Sequence, residues 1–423
     1  MRKNKPIEEV LTEKEKQQEA NEFPSWKKKT FLFLSGQTIS LFGSSLVQFA
    51  IIWYITLTTQ SGAMMTISTV CGFAPQVLIS IFSGVWADRY NRKKLIIGAD
   101  ALVAISTLIL ALFFFSGHNN FIMIFLVSAI RSVGTGIQTP AVNALLPQIV
   151  PPARLTRIGG INNSLMSIMF LLSPAVGGAI LSFASFEYTL LIDVGTAAIA
   201  IAIMVVLKVP LHKKAMQKQT TGYFDDLKAG IKYAASTKFF RAYFIFMAAF
   251  FFMVVPAAQL TPLMVTRVFG AEVWRLSLVE VMFSIGSVVG GIAISAWGGF
   301  ANRTRTIALA CVCFGVLTAL LGFMTGFIGF LIVTCITGLS MPLFSTPAMV
   351  LLQEQVPQDM QGRIFGLMQI VMTTALPVGM LFFGPLADVV KIQYLFIITG
   401  IVMALLGIAV FRNKHFKHGL ITE

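Results

Sequence analysis

Four charged side chains lie inside long apolar runs: Asp100, Arg131, Asp193 and Glu280. A charge held in hydrocarbon is costly, so each is a candidate functional group. Arg131 keeps its proton and must face a partner or water; there it can bias the protonation of a neighbouring carboxylate. Glu280 shares a helical face with Ser284, Ser287 and Gly291, at spacings of four, three and four. Such a stripe suits a cavity wall, and a carboxylate on it can take a proton from one side and release it on the other. The competing reading is an interfacial salt bridge from Glu280 to Arg275 or Arg267. Asp193 reads equally as a second proton site or as a cap near an outer loop. Asp100 is expected to pair with Arg89, Arg92 or Arg157. Proton coupling is therefore expected of Glu280, Asp193 and Arg131.

Neutral polar residues in the same runs supply hydrogen bonds without the cost of a charge. Gln37, Gln138, Gln259 and Gln369 are candidates to face a cavity and bind a small amphipathic substrate, and each can equally join two helices. The residues give no sign of covalent chemistry. Cys71, Cys311, Cys313 and Cys335 lie in apolar stretches without zinc or redox spacing. His118, His212, His415 and His418 all fall in loops or tails. There is no phosphate-binding P-loop. An enzyme, a cofactor and a bound metal are not expected.

The elements that must position these groups are set by composition. Hydrophobic residues make up 56% of the 423 and charged residues 12%, where a soluble domain has roughly 25% charged. That excludes a soluble fold and also a disordered chain. Twelve continuous apolar stretches are long enough to cross a bilayer as helices, at 30–58, 62–87, 95–116, 120–147, 156–184, 187–208, 239–266, 275–299, 305–325, 327–353, 362–387 and 392–411. Their continuity, without alternation, favours helices over a barrel. The fold class is all-α integral membrane.

The net charge of +14 has a membrane explanation in place of nucleic acid, since no basic soluble segment is long enough to fold. If the chain starts inside and alternates, all but four of the 32 Lys and Arg face the cytoplasm; Arg267, Arg275 and Lys391 fall outside and Arg131 within the membrane. That bias places both termini in the cytoplasm. The first 22 residues are polar, so no cleavable signal is expected.

The organisation follows: a cytoplasmic polar tail at 1–29, a six-helix bundle at 30–208, a cytoplasmic linker at 209–238, a second six-helix bundle at 239–411 and a tail at 412–423. The halves repeat weakly. Gly84-Val-Trp-Ala-Asp88-Arg89 matches Gly298-Gly-Phe-Ala-Asn302-Arg303, and Thr139-Pro140-Ala141 matches Thr346-Pro347-Ala348. Two parallel six-helix repeats are a transporter architecture with the substrate site near mid-membrane.

The strongest motif is Gly84-Val-Trp-Ala-Asp88-Arg89-Tyr-Asn-Arg92-Lys93-Lys94. Gly84 is expected to allow close helix approach, Asp88 to meet a helix N-terminus of the other half, and the basic run to meet acids or lipid. The segment resembles the signature loop G-x-x-x-D-R-x-x-R-[RK] of the major facilitator superfamily, and the resemblance extends over residues 30–411. It implies a cytoplasmic gate at Gly84, Asp88, Arg89, Arg92 and Lys93. Ser173-Pro174-Ala-Val-Gly177-Gly178 resembles the helix-packing element G-P-x-x-G-G of drug:proton antiporters, with Ser in place of the first Gly. Arg131-Ser-Val-Gly134-Thr-Gly136 resembles their R-x-x-x-G element, with the glycines displaced by one residue.

Gly36-Gln37, Gln48 to Tyr54, Asp88 to Asp100, Ile130 to Leu145 and Ile192-Asp193-Val194 are most similar to the macrolide-efflux branch. The resemblance implies proton-driven export of macrolides or other bulky amphipathic drugs, by a monomer in the bacterial plasma membrane. The alternatives are export of another cargo, such as a siderophore or lysolipid, and a membrane sensor that transports nothing.

Overall fold

The structure, a computed structural model, describes residues 23–209, 223–357 and 360–412. Among these lie fourteen α-helices and one short 3-10 turn, and no strand. In chain order the first six are α1 (Trp26–Thr59), α2 (Gly62–Arg89), α3 (Arg92–Phe115), α4 (Phe121–Ile149), α5 (Leu155–Phe183) and α6 (Phe186–Val206). Then come α7 (Tyr223–Ser236), α8 (Lys238–Gln259), α9 (Thr261–Val268) and α10 (Val273–Trp297). The last four are α11 (Arg303–Phe323), α12 (Phe327–Gln355), α13 (Gln361–Val389) and α14 (Ile392–Arg412).

Twelve segments are long and apolar enough to cross a membrane, with α8 and α9 forming one of them. The helices that carry them match the expected spans to within a few residues at each end. Lipid offers the backbone no partners, so each span bonds its own N–H and C=O groups. Where helices emerge, side chains take over: Asn91, Asn120 and Asn302 accept from the N–H of Lys94, Ile122 and Thr304. The seventh span breaks at Leu260, between Pro256 and Pro262, because proline breaks the helical hydrogen-bond ladder.

The segment expected as a linker contains a helix, α7. It lies against α13, where a Cβ on Gly230 would come within 3.3 Å of the Arg363 carbonyl. Its charged residues hide it from a search for apolar spans. His212, Lys213 and Lys214 lie outside the described residues.

The late elements of the two halves repeat in length as well as order. The pairs α4 and α12, and α5 and α13, have 29 residues each, and α6 and α14 have 21. The early elements set a different register from the one expected. Asn91 caps α3 just as Asn302 caps α11, so Asn91-Arg92, not Asp88-Arg89, corresponds to Asn302-Arg303.

The chain divides into two compact units. Unit one comprises Met1–Val47, Leu78–Ser173 and Glu187–Met216; unit two comprises Gln48–Val77, Pro174–Phe186 and Gln217–Glu423. One cut falls in the 209–238 segment, and the others pass through α1, α2, α5 and the first turn of α6. The core of unit one gathers Phe33, Ile96, Leu145, Ile149 and Met204. Unit two has an aromatic core in which Phe250 and Phe344 stack with centroids 3.8 Å apart. There α10 and α12 touch backbone to backbone: a Cβ on Gly338 would lie 2.1 Å from the Phe283 carbonyl oxygen. Small residues at such crossings supply the packing that lipid-facing helices need.

Candidate functional site

Unit one encloses a polar centre built from four helices. Arg131 of α4 forms an ion pair with Asp193 of α6, with side-chain exposures of 7% and 0%. Its guanidinium also donates to Thr107 Oγ1 of α3 and to the Ser44 carbonyl of α1 at 3.3 Å. Ser44 and Thr107 hydroxyls donate to Asp193, each at 3.2 Å. The carboxylate therefore has one guanidinium and two hydroxyl donors. Burial of a charge pair needs this completeness, because each lone charge would cost several kcal/mol (about 3–5 when one partner is removed). Gly43 permits the approach of α1 and α6: a Cβ there would fall 2.0 Å from Thr196 Oγ1 and 3.1 Å from the Asp193 Cα. Arg131 and Asp193, singled out separately in the sequence, are thus one assembly.

Asp100 departs from expectation. It does not pair with Arg89, Arg92 or Arg157. Buried in unit one, it accepts at Oδ1 from Ser40 Oγ at 3.1 Å and from Gln138 Nε2 at 2.5 Å. Its Oδ2 has no hydrogen-bond partner among the described residues. The helix turns Asp100 inward, toward α1 and α4, whereas the basic loop lies at the helix end. Gln138 is thereby engaged by a protein carboxylate. Gln37 has a buried Nε2 with no partner among the described residues, so its amide retains a donor for a further group.

In unit two, Glu280 is half-buried on α10, and its stripe companions Ser284, Ser287 and Gly291 are also half-buried. A Cβ on Gly291 would meet nothing within 4 Å, so the stripe is not the face that packs on α12. The salt-bridge reading of Glu280 is not realised. Arg275 pairs with Glu272 at 3.0 Å and lies over the rings of Trp274 and Phe327, and Arg267 pairs with Asp388. Among the described residues no side chain donates to the Glu280 carboxylate. Gln259 ends α8 half-buried, and Gln369 is exposed on α13, donating to Thr373 Oγ1 at 3.2 Å.

The α5 element divides its work. Ser173 Oγ returns to the Met169 carbonyl at 2.6 Å. Ser277 of α10 donates to the Pro174 carbonyl at 3.0 Å, a carbonyl accessible because proline disturbs the ladder around it. Gly177 is buried. A Cβ on Gly178 would sit 2.3 Å from the Ser277 Cβ and 3.3 Å from the Trp53 ring. Pro174 and Gly178 thus lie at a close helix contact.

The signature loop is shorter than a turn that needs glycine. α2 ends at Arg89 and α3 begins at Arg92. A Cβ on Gly84 would meet nothing within 4 Å, so the expected close approach is absent there. Arg92 donates to the Ala87 carbonyl at 2.8 Å and the Ala144 carbonyl at 2.7 Å. Lys93 Nζ donates to the Val205 and Leu207 carbonyls at 2.8 and 2.9 Å. The Ala87, Val205 and Leu207 carbonyls lie where helix ends leave acceptors open, at the pole where the dipole favours positive charge, whereas Ala144 lies further inside α4. Arg303 does the same in unit two, donating to the Gly298 carbonyl at 2.8 Å. Arg89 is exposed. The Asp88 side chain lies outside the described residues.

One constellation escaped the sequence reading. Asp388, in the last turn of α13, accepts from the Gly62 and Ala63 N–H groups at 2.7 and 2.9 Å and from the Ser61 hydroxyl at 2.8 Å. It thereby caps α2 from another helix. Arg267 of α9 binds the same carboxylate at 2.7 Å, and it also donates to the Gln60 and Ala387 carbonyls. Gln60 is held at φ 48, a left-handed conformation uncommon outside glycine. The available signal was an acid at a helix C-terminus, where the dipole disfavours it without a compensating partner.

Among the described residues no group of three or more His, Cys, Asp or Glu is placed to hold a metal ion. Comparison with known proteins gives these polar centres a setting. The chain is 29% identical to macrolide efflux protein A of Streptococcus pyogenes over 388 residues, covering 91% of this chain and 96% of that one. It is 24% identical to the staphyloferrin A transporter of Staphylococcus aureus, covering 92% and 97%. The fold is similar to the crystal structure of the nucleoside transporter NupG, with TM-score 0.70, 17% identity and coverage of 92% and 100%. A family model described as Major Facilitator Superfamily matches residues 33–376 and again 277–422. With twelve apolar spans and this match, the chain is a multi-pass membrane transporter that belongs to the Major Facilitator Superfamily.

Proposed function

We propose that the chain is a proton-coupled exporter of bulky amphipathic compounds, macrolides foremost, acting as a monomer in the bacterial cell membrane with both termini in the cytoplasm. The cargo class follows the likeness to macrolide efflux protein A, and the orientation follows the Lys and Arg bias. One observation carries the coupling: Glu280, a half-buried carboxylate in a membrane span, has no donor among the described residues and shares its stripe with two serines. It takes a proton from outside and releases it inside as access alternates. Each charge moved inward gains about 2.3 kcal/mol per 100 mV. The Arg131–Asp193 pair must part before Asp193 is open to a proton, so it acts as a second, conformation-dependent site. Gln37, with its unpartnered amide nitrogen, is the first choice among the glutamines for contact with substrate. Arg92 and Lys93 fasten helix ends on the cytoplasmic side, and Asp388 with Arg267 latches the opposite side.

The test is uptake of a labelled macrolide into inverted vesicles under an imposed pH gradient, with and without protonophore. Uptake abolished by protonophore, and lost in Glu280→Gln while exchange down a concentration gradient persists, is the expected result. Uphill export by Glu280→Gln at the normal rate removes Glu280 from coupling. The likeness to the staphyloferrin A transporter favours a siderophore as the second cargo, to be tried if macrolide uptake does not exceed that of empty vesicles. Binding without transport of either cargo would favour a sensor.

A further inference from the structure

At the end of unit one where α1 and α5 begin, a cleft of about 370 Å³ opens between the two helices. Three cations line it, Lys27, Arg154 and Arg157, and no acidic residue does so among the described residues. Its walls are apolar: Trp26 and Phe31 on α1, Ile158 on α5. Thr30 lines it too, 3% exposed, and its Oγ1 has no hydrogen-bond partner among the described residues. A helical threonine ordinarily returns its hydroxyl to a carbonyl three or four residues back. Thr56, Thr58 and Thr107 of this chain do so; Thr30 does not. A buried hydroxyl left open costs free energy unless something accepts its hydrogen.

We propose that this cleft binds the headgroup phosphate of an anionic phospholipid. Each arginine carries five N–H donors in a planar fork that matches phosphate oxygens, so it can serve a phosphate beside the contact it already makes within the chain. The Thr30 hydroxyl donates to a further oxygen, and Lys27 adds a third cation. Trp26 lies where an amphipathic ring belongs, at headgroup depth. Phe31, 71% exposed, continues the apolar wall away from the cations, where an acyl chain covers it and a soluble anion would not. Basic pockets between helices at a cytoplasmic surface are a recognised mode of lipid headgroup binding. The position, beside the ends of two spans, is distinct from the buried polar centre of Arg131 and Asp193.

Native mass spectrometry of the full chain from micelles holding equimolar phosphatidylglycerol and phosphatidylcholine tests this without reading transport. Wild type should retain phosphatidylglycerol preferentially. Each basic group near a membrane surface contributes about fivefold, so Arg154→Ala with Arg157→Ala should weaken retention by roughly twenty-five-fold. Thr30→Val keeps shape and charge and should weaken it by about fivefold; it keeps the proposal testable if the double variant does not fold. Arg305→Ala with Lys391→Ala removes equal charge elsewhere and should change nothing. Equal retention of both lipids by wild type, or unchanged retention in both cleft variants, overturns the proposal. So does displacement by an equal concentration of glycerol phosphate, which would mark a site for soluble anions. Retention that appears only after deletion of residues 1–22 would assign the cleft to the chain's own tail.

Discussion

Arg131–Asp193 and Arg267–Asp388 join the same two side-chain types in different surroundings. The first pair is enclosed by α1, α3, α4 and α6, with side-chain exposures of 7% and 0%. The second lies at the ends of α9 and α13, with exposures of 26% and 28%. Among the described residues the enclosed aspartate accepts from side chains only, the guanidinium and two hydroxyls. The rim aspartate accepts from two backbone N–H groups as well as a hydroxyl and a guanidinium. The difference separates two kinds of work. A dry pair holds its charge balance against a large desolvation cost and can change only as a unit. A wet pair gains little from its charges and more from the helix end it caps, so it can be made and broken at small cost.

The largest test of this contrast is Arg131→Leu. It leaves the Asp193 carboxylate enclosed without its cation and should cost about 3–5 kcal/mol, read as a lowered melting temperature in detergent. Arg131→Leu with Asp193→Leu should recover most of that loss. A double variant as unstable as the single one would show that packing, not charge balance, sets the cost. Asp388→Ala should cost less, about 1–2 kcal/mol for the lost cap. Its clearer mark is local: a cysteine at Ala63 should react faster with a membrane-impermeant reagent once the carboxylate is gone. Asp388→Asn, which retains one acceptor oxygen, should fall between wild type and Asp388→Ala. Equal reactivity in all three backgrounds would deny that Asp388 holds the start of α2.

The same contrast explains what the sequence made legible. Spans were readable because lipid imposes one requirement on twenty residues at once, a continuous apolar run with its own hydrogen bonds. Arg131, Asp193 and Glu280 were readable as candidates because charge within such a run is rare. Their partners were not, since Thr107, Ser44 and Asp193 meet Arg131 only when four helices converge. Asp100 shows the limit: it lies near a basic loop along the chain, yet the rotation of α3 turns it toward Ser40 and Gln138. The motif predicts close packing at Gly84, but the space beside it is open, while Gly178 lies at a tight helix contact. α7 was missed because its polar composition resembles a linker. Asp388 was missed because its acceptor role depends on the start of a helix far away in sequence.

The smallest expected effect is the most discriminating. Arg267→Lys keeps the charge but replaces a rigid fork by a single ammonium, which cannot serve Gln60, Ala387 and Asp388 with the same geometry. The expected cost is about 0.5–1 kcal/mol. Part of it is electrostatic between partly solvated groups, and salt shortens the reach of such interactions from about 10 Å at 0.1 M to about 3 Å at 1 M. The stability gap between wild type and Arg267→Lys should therefore narrow as salt rises. The gap for Arg131→Leu should stay constant over the same range, because ions cannot enter between side chains exposed by only 7% and 0%. Parallel salt dependence of the two gaps would mean that solvent reaches both pairs, and the division between a dry centre and a wet latch would fail. Opposite behaviour would leave Arg267–Asp388 as the pair able to open under ordinary thermal motion, and Arg131–Asp193 as the one that opens only when helices around it move.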